Sequence, residues 1–322
     1  MATLQNTTVS TLLKLSPTTI CNFANGYVGI SSTCNRLTFS GTPYVWSNKT
    51  GLITSRCALA GSGTQNAALA IGGLISATQQ SCVESFNGST WSSATALITA
   101  RWGLAGVGTT NSTLSIGGNN STAGPTGVLG CVQAYNGSTW SACTNLITAR
   151  TCLGGVGTTN AALAIAGNTP GVVSNTESFN GSTWSACTNL VISNQQLGAV
   201  GTQNAALVFG GSSPTIINSS YVYNGSGWTT SGNMIYARGN LSGAGTTNAA
   251  IAFGGCNVIS LACTEKYTGN AWSACSVLNT GRQLLAGAGT VTSALTMGGE
   301  SPAGSCTEAY SYSPGCSSLF TP

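Results

Sequence analysis

The chain has 322 residues, with 44 glycines, 13 cysteines, no histidine, nine basic side chains and five acidic ones. Without histidine there is no Ser-His or Cys-His nucleophile pair, no imidazole base and no His-ligated metal, and because all five acids are glutamates an Asp-built calcium or two-metal site is excluded as well. A formal net charge of +4 is too dilute for a polyanion-binding surface, whereas a hydrophobic content of 42% is ample for a core, so a stable, nearly neutral, non-enzymatic chain is expected, with no cofactor and no nucleic-acid partner.

From the N-terminus, residues 1–20 carry one charge, Lys14, and no long apolar run. That argues against a secretory leader. No later stretch approaches the roughly 18 apolar residues of a membrane span. Thirteen cysteines nonetheless suit an oxidising exterior. An extracellular or virion-surface chain fits both facts, as a virion protein released by lysis or a mature chain whose leader is missing. Eleven N-x-S/T sequons, among them Asn119 and Asn120, leave glycosylation open. The N-G-S-T copies also read simply as hairpin turns.

The dominant signal is a repeat. Trp46, Trp91, Trp140, Trp184, Trp228 and Trp272 stand 45, 49, 44, 44 and 44 residues apart. Small-Gly pairs recur with the same spacing at Gly72-Gly73, Gly117-Gly118, Ala166-Gly167, Gly210-Gly211, Gly254-Gly255 and Gly298-Gly299. Each unit predicts four strands. L-A-G-V-G-T, a T-N turn and A-A-L-A-I-G-G make one hairpin, and E-S-F-N-G-S-T-W the next, with Asn-Gly at the tight turn. Glycine, alanine and serine dominate the first strand, as the crowded centre of a radial array requires. No helical period is present.

These residues resemble the Kelch family of β-propellers, in which an apolar run into Gly-Gly is followed by an aromatic and then a Trp. Phe86/Trp91, Tyr135/Trp140, Phe179/Trp184, Tyr223/Trp228 and Tyr267/Trp272 follow that order, and the resemblance covers about residues 57–312. It implies an all-β propeller of four-stranded blades and leaves function open. Similar arrays rich in Gly, Asn and Thr occur in phage-encoded and surface proteins. The family's copper oxidases use histidine ligands, so their chemistry does not carry over.

Length favours seven blades, with six as the alternative. A seventh hairpin is expected in degenerate form near Cys21 to Ser32, after which a Trp hairpin follows over 36–53. The last unit supplies three strands, 282–312, and its outer strand is expected from within Leu4 to Leu13, closing the ring or, on the rival reading, pairing with a neighbouring subunit to build a filament. The whole chain, 1–322, then reads as one domain: a closing or exchange strand (1–17), blades (18–312) and a tail (313–322).

Arg56, Arg101, Arg150, Arg238 and Arg282 share one repeat position, with Asn194 in the sixth copy, and Glu84, Glu177, Glu265 and Glu308 all precede the aromatic by two residues. One structural Arg–Glu contact per blade is expected. Only Glu300 stands outside this register, so no carboxylate pair exists for glycosidase chemistry. Cys131/Cys143 and Cys263/Cys275 flank matching turns and are expected to be bridged. Cys21/Cys34 and Cys306/Cys316 are candidate terminal staples. Cys57, Cys82, Cys152, Cys187 and Cys256 find no partner.

The loops between second and third strands vary in length and sequence, and the unscheduled aromatics Trp102 and Tyr236 fall on the same side. With Asn119, Asn120 and Glu300 they form the candidate ligand or partner face. Two functions compete. One is a structural or adhesive exterior protein, a virion appendage, decoration or filament subunit meeting copies of itself or other virion subunits. The other is a monomeric module that binds carbohydrate, such as surface glycans, or protein through the variable loops.

Overall fold

The computed structural model describes residues 27–30, 37–40, 44–121, 124–300 and 304–313. The chain divides into two units, Val45–Ser311 and a unit of both ends, Met1–Tyr44 with Tyr312–Pro322. The first is a β-propeller of six blades, each a four-stranded antiparallel sheet.

From the inside outward, the first blade is Ala60–Thr64, Ala67–Ile71, Val83–Phe86 and Trp91–Ala94. The second is Ala105–Thr109, Ser112–Ile116, Val132–Tyr135 and Trp140–Cys143. The third is Gly154–Thr158, Ala161–Thr169, Gly171–Phe179 and Trp184–Ala186. The fourth is Gly198–Thr202, Ala205–Phe209, Ser220–Tyr223 and Trp228–Ser231. The fifth is Ser242–Thr246, Ala249–Phe253, Thr264–Tyr267 and Trp272–Ala274. The sixth joins Ala286–Thr290, Ser293–Met297 and Thr307–Tyr312 to an outer strand from the other end of the chain, Tyr44–Lys49. Among the described residues the only helix is a 3-10 turn, Gly124–Gly127, and no helix is long and apolar enough to cross a membrane.

Six blades, not seven, correct the count made from length. Trp46 lies on the outer strand of the sixth blade, so six tryptophans mean six sheets. The expected closing segment, Leu4 to Leu13, lies outside the described residues, and the place it was assigned is filled by Tyr44–Lys49. Where a seventh blade was expected, Tyr27–Ile30 pairs with Leu37–Ser40 as a two-stranded ribbon.

The first strands are glycine-rich because they crowd one another around the axis. A Cβ on Gly61 would lie 2.7 Å from the Gly287 carbonyl oxygen, closer than real packing allows. No single core exists; instead a cluster fills the gap between neighbouring sheets. Between the second and third blades Val107, Leu114, Ile116 and Val132 meet Ala162, Ala164, Phe179 and Trp184, all buried. Each N-G-S-T turn places Trp directly opposite the aromatic, as in Tyr135↔Trp140, with ring centroids 5.0 Å apart. Such a Trp removes some 150–250 Å² from water, worth about 4–6 kcal/mol at ~25 cal/mol/Å².

The indole N–H reaches back to the preceding blade. Trp46 donates to Thr264 Oγ1 (3.2 Å), Trp91 to Thr307 Oγ1 (3.1 Å), Trp140 to the Thr95 carbonyl (2.9 Å), Trp184 to the Thr144 carbonyl (3.1 Å) and Trp272 to Ser220 Oγ (3.0 Å). Only Trp228 has no partner among the described residues.

Candidate functional site

The fourth-to-first connections hold the buried charge. Arg150 Nη2 meets Glu177 at 2.9 Å, Arg238 meets Glu265 at 3.1 Å, Arg282 meets Glu308 at 3.0 Å, and Arg56 pairs with Glu84. Each pair lies within one blade, as the repeat register implies. Burial pushes the Arg150, Arg238 and Arg282 guanidiniums down from their ordinary value, and the carboxylates pull them back. The second carboxylate oxygen takes a backbone N–H of the connection, 2.7 Å from Ile53, Ile147, Ile235 and Asn279 in turn. A Glu therefore ties down both the arginine and the loop.

Two blades depart from this plan. In the fourth, Asn194 and Tyr221 replace both members, and Asn194 Nδ2 bonds the Gly210 carbonyl at 2.9 Å. In the second, Gln133 replaces Glu, and Arg101 has no carboxylate among the described residues.

Next to these arginines the chain builds a closed circle of backbone bonds. Ala58 N–H donates to Leu284 C=O (2.8 Å), Leu284 to Asn240 (2.9 Å), Asn240 to Gln196 (2.9 Å), Gln196 to Cys152 (3.0 Å), Cys152 to Gly103 (2.7 Å), and Gly103 to Ala58 (2.9 Å). All six residues are left-handed, with φ between 51° and 61°, although only one is glycine. This iris adjoins a central cavity of about 160 Å³ lined by Gly61, Gly106, Gly155, Ala199, Gly243 and Gly287. At ~30 Å³ per water the cavity has room for about five waters. At the far end of the innermost strands six exposed threonines recur, Thr64, Thr109, Thr158, Thr202, Thr246 and Thr290.

Isolated bridges seat the variable loops against the same connections: Cys57↔Leu74, Trp102↔Asn119, Thr151↔Asn168, Gln195↔Ser212, Gly239↔Cys256 and Gln283↔Glu300. One face of the propeller thus collects the iris, the loops and the predicted site residues. Side-chain amides link neighbouring copies there, Asn168 Nδ2 to Gln195 Oε1 at 2.8 Å and Asn240 Nδ2 to Gln283 Oε1 at 3.2 Å. Gln79 Nε2 reaches the Asn120 carbonyl at 2.7 Å.

Trp102 is half-buried, its indole N–H donating to the Ser121 carbonyl at 3.1 Å. Tyr236, Asn120 and Glu300 are exposed. Asn119 is only 3% exposed and accepts the Ser121 N–H at 2.7 Å, which makes it a loop strut rather than a contact residue.

Sequence reasoning missed an apolar set on these connections. Ile53, Ile98, Ile147, Val191 and Ile235 share one repeat position and are 50–62% exposed, each next to a buried Leu or Met. The doublet L-I in L-I-T-A-R carried the signal, since adjacent residues seldom face the same core.

The expected hairpin disulfides are corrected. In the second blade Val132, not Cys131, lies opposite Cys143, so the two cysteines point to opposite sheet faces. In the fifth, Glu265↔Ala274 sets the same register, and Cys263 and Cys275 are one residue out of step. All four are free thiols, as are Cys57, Cys82, Cys152, Cys187 and Cys256. Cys21, Cys34 and Cys316 lie outside the described residues, and with them both terminal pairings. No group of three or more metal-binding side chains occurs among the described residues.

No family model matches the chain, and a search of curated proteins finds no match.

Proposed function

We propose that this is a non-enzymatic structural or adhesive protein of a virion or cell exterior, such as an appendage, decoration or filament subunit, built on Kelch-type blades. One observation carries the reading, the placement of charge. The described Arg side chains, and every Glu except Glu300, are buried within the blades. The exposed charges among the described residues are Lys49 and Glu300, with Lys266 half-buried over the Tyr310 ring. What the loop face offers a partner is amides, hydroxyls, Trp102, Tyr236, five aliphatics and the carboxylate of Glu300. Such a surface suits neutral partners met by shape and hydrogen bonds, including further copies of the chain, and gives little steering to anions.

A second reading, a monomeric glycan-binding propeller, draws on Trp102 beside the amide-lined iris, because sugar faces stack on aromatic rings and sugar hydroxyls bond amides. Electron microscopy of the native assembly, with an antibody against the chain, separates the two. Labelling at a regular position on a particle or filament supports the structural role. An unlabelled particle, together with glycan-array binding by the monomer that is lost in Trp102→Ala, overturns it in favour of the second.

A further inference from the structure

The six copies serve as controls for one another, and the second blade is the one that keeps the arginine without the glutamate. Arg101 is 0% exposed, like Arg150, Arg238 and Arg282, yet Gln133 stands where those blades carry Glu. Its Nη1 keeps the bonds typical of the position, to the carbonyls of Gly117 (2.9 Å) and Cys131 (2.8 Å). Its Nη2, which in Arg150, Arg238 and Arg282 meets a carboxylate, meets Cys131 Sγ at 2.7 Å. A guanidinium only donates, so the sulfur is the acceptor, and an ionised sulfur accepts far better than a thiol. A buried cation without an anion is costly. Among the described residues, Cys131 is the one group in contact that can supply the missing charge.

We propose that Cys131 is an activated thiol, the site at which this chain is modified by small electrophiles, peroxides among them. Three cysteines occupy the same repeat position, Cys82, Cys263 and Cys306, and all are partly buried free thiols like Cys131. Their arginines are neutralised by Glu84, Glu265 and Glu308. Burial lowers the Arg101 guanidinium and the Cys131 sulfur pulls it back, the part a carboxylate plays in Arg150, Arg238 and Arg282. With an alkyl iodide the Sγ lone pair forms the S–C bond as C–I breaks and iodide leaves. With hydrogen peroxide, Sγ forms an S–O bond as O–O breaks; sulfur is oxidised to sulfenic acid, and the departing oxygen leaves as hydroxide and takes a proton to become water.

The test is alkylation of the intact folded chain with limiting iodoacetamide near neutral pH, read at each cysteine by peptide mass spectrometry. Cys131 is expected to react about tenfold or more faster than Cys82, Cys263 and Cys306. Gln133→Glu restores the pattern of the other blades and is expected to bring Cys131 down to the rate of its three counterparts without lowering the melting temperature. Four equal rates in the unaltered chain overturn the proposal. So does a Cys131 rate that stays high in a folded Gln133→Glu chain, which would mark simple exposure. Should that variant not fold, the pH profile of the unaltered chain decides. A Cys131 rate that climbs with pH in step with the other three overturns the proposal, and a flatter profile supports it.

Discussion

The Ala58 amide donates to the Leu284 carbonyl at 2.8 Å and so joins the first blade to the sixth without any side chain. Ala58 holds φ 51° to do this, a conformation that costs an L-residue on the order of 1–2 kcal/mol. Ala58→Gly removes that strain and loses only a methyl, so a net gain of about 0.5–1 kcal/mol is expected after the extra chain entropy of glycine. Ala58→Pro removes the N–H and forbids the left-handed conformation, at a cost of roughly 3 kcal/mol or more. Urea midpoints of the two variants should move in opposite directions.

The fourth blade supplies a natural repair for a broken ion pair. Arg238→Asn leaves Glu265, 0% exposed, with an uncompensated charge, and about 3–5 kcal/mol should be lost. Adding Glu265→Tyr copies the Asn194/Tyr221 arrangement. The double variant should recover at least ~1–2 kcal/mol of the loss, since the two sites touch and are not additive. A double-mutant cycle by urea denaturation measures the coupling.

Strands, inter-sheet tryptophans and Arg–Glu pairs were legible because the repeat writes each several times over. Blade number was not, because the sixth sheet joins Thr307–Tyr312 to Tyr44–Lys49 from the far end of the chain, a pairing with no local signal. The disulfides failed on one residue of register: three residues back from Tyr135 and three on from Trp140, the pair that fixes the turn, Val132 and not Cys131 lies opposite Cys143. The iris left no trace at all, since Ala58, Gly103, Cys152, Gln196, Asn240 and Leu284 share a backbone conformation and no chemistry. At the loop face, Trp102 and Tyr236 stood out as departures from the repeat. Asn119 misled because a polar residue in a variable loop reads the same whether it faces a ligand or its own backbone.

Trp228 is the natural exception among the tryptophans. Its indole N–H is buried without a partner, whereas that of Trp272 donates to Ser220 Oγ at 3.0 Å. Replacement by Phe keeps most of the packing in either case. Trp272→Phe also forfeits a hydrogen bond and leaves the hydroxyl unpaired, so it should cost about 0.5–1.5 kcal/mol more than Trp228→Phe. Equal melting temperatures for the two variants would show that the bond contributes nothing net.

Alkaline stability should depend on Cys275. Burial, its largest cause, pushes this thiol from the ordinary 9.0 up to about 11, against the opposing pull of Tyr310, Lys266 and Arg238. The fold holds the proton that the unfolded chain gives up. The contribution is therefore fully present below about pH 9 and is lost as pH rises towards about 11. Lys266, pushed down from 10.5 by burial, works in the opposite sense. Comparison with Cys275→Ala reads the thiol together with its pull on Lys266: the stability gap between the two chains should change between pH 8.5 and pH 11 and stay constant below.

The strand Tyr44–Lys49 should be the chain's most consequential short segment. Trp46 is 5% exposed, with its ring 5.1 Å from both Tyr310 and Phe253, and its N–H crosses to Thr264 in the fifth blade. Asn279 Nδ2 bonds the Trp46 carbonyl at 3.3 Å, so the strand also holds a connection between blades. Without it, Thr307–Tyr312 becomes an open sheet edge, and the fifth and sixth blades lose the aromatic between them. A chain starting at residue 44 keeps all four strands of the sixth sheet and should melt close to the full chain. A chain starting at residue 51 should lose at least the ~3–5 kcal/mol of a buried Trp, and a synthetic peptide covering 44–50 should restore part of it. Scanning calorimetry of the two truncations decides the matter: equal loss in both would place the closing contribution before residue 44.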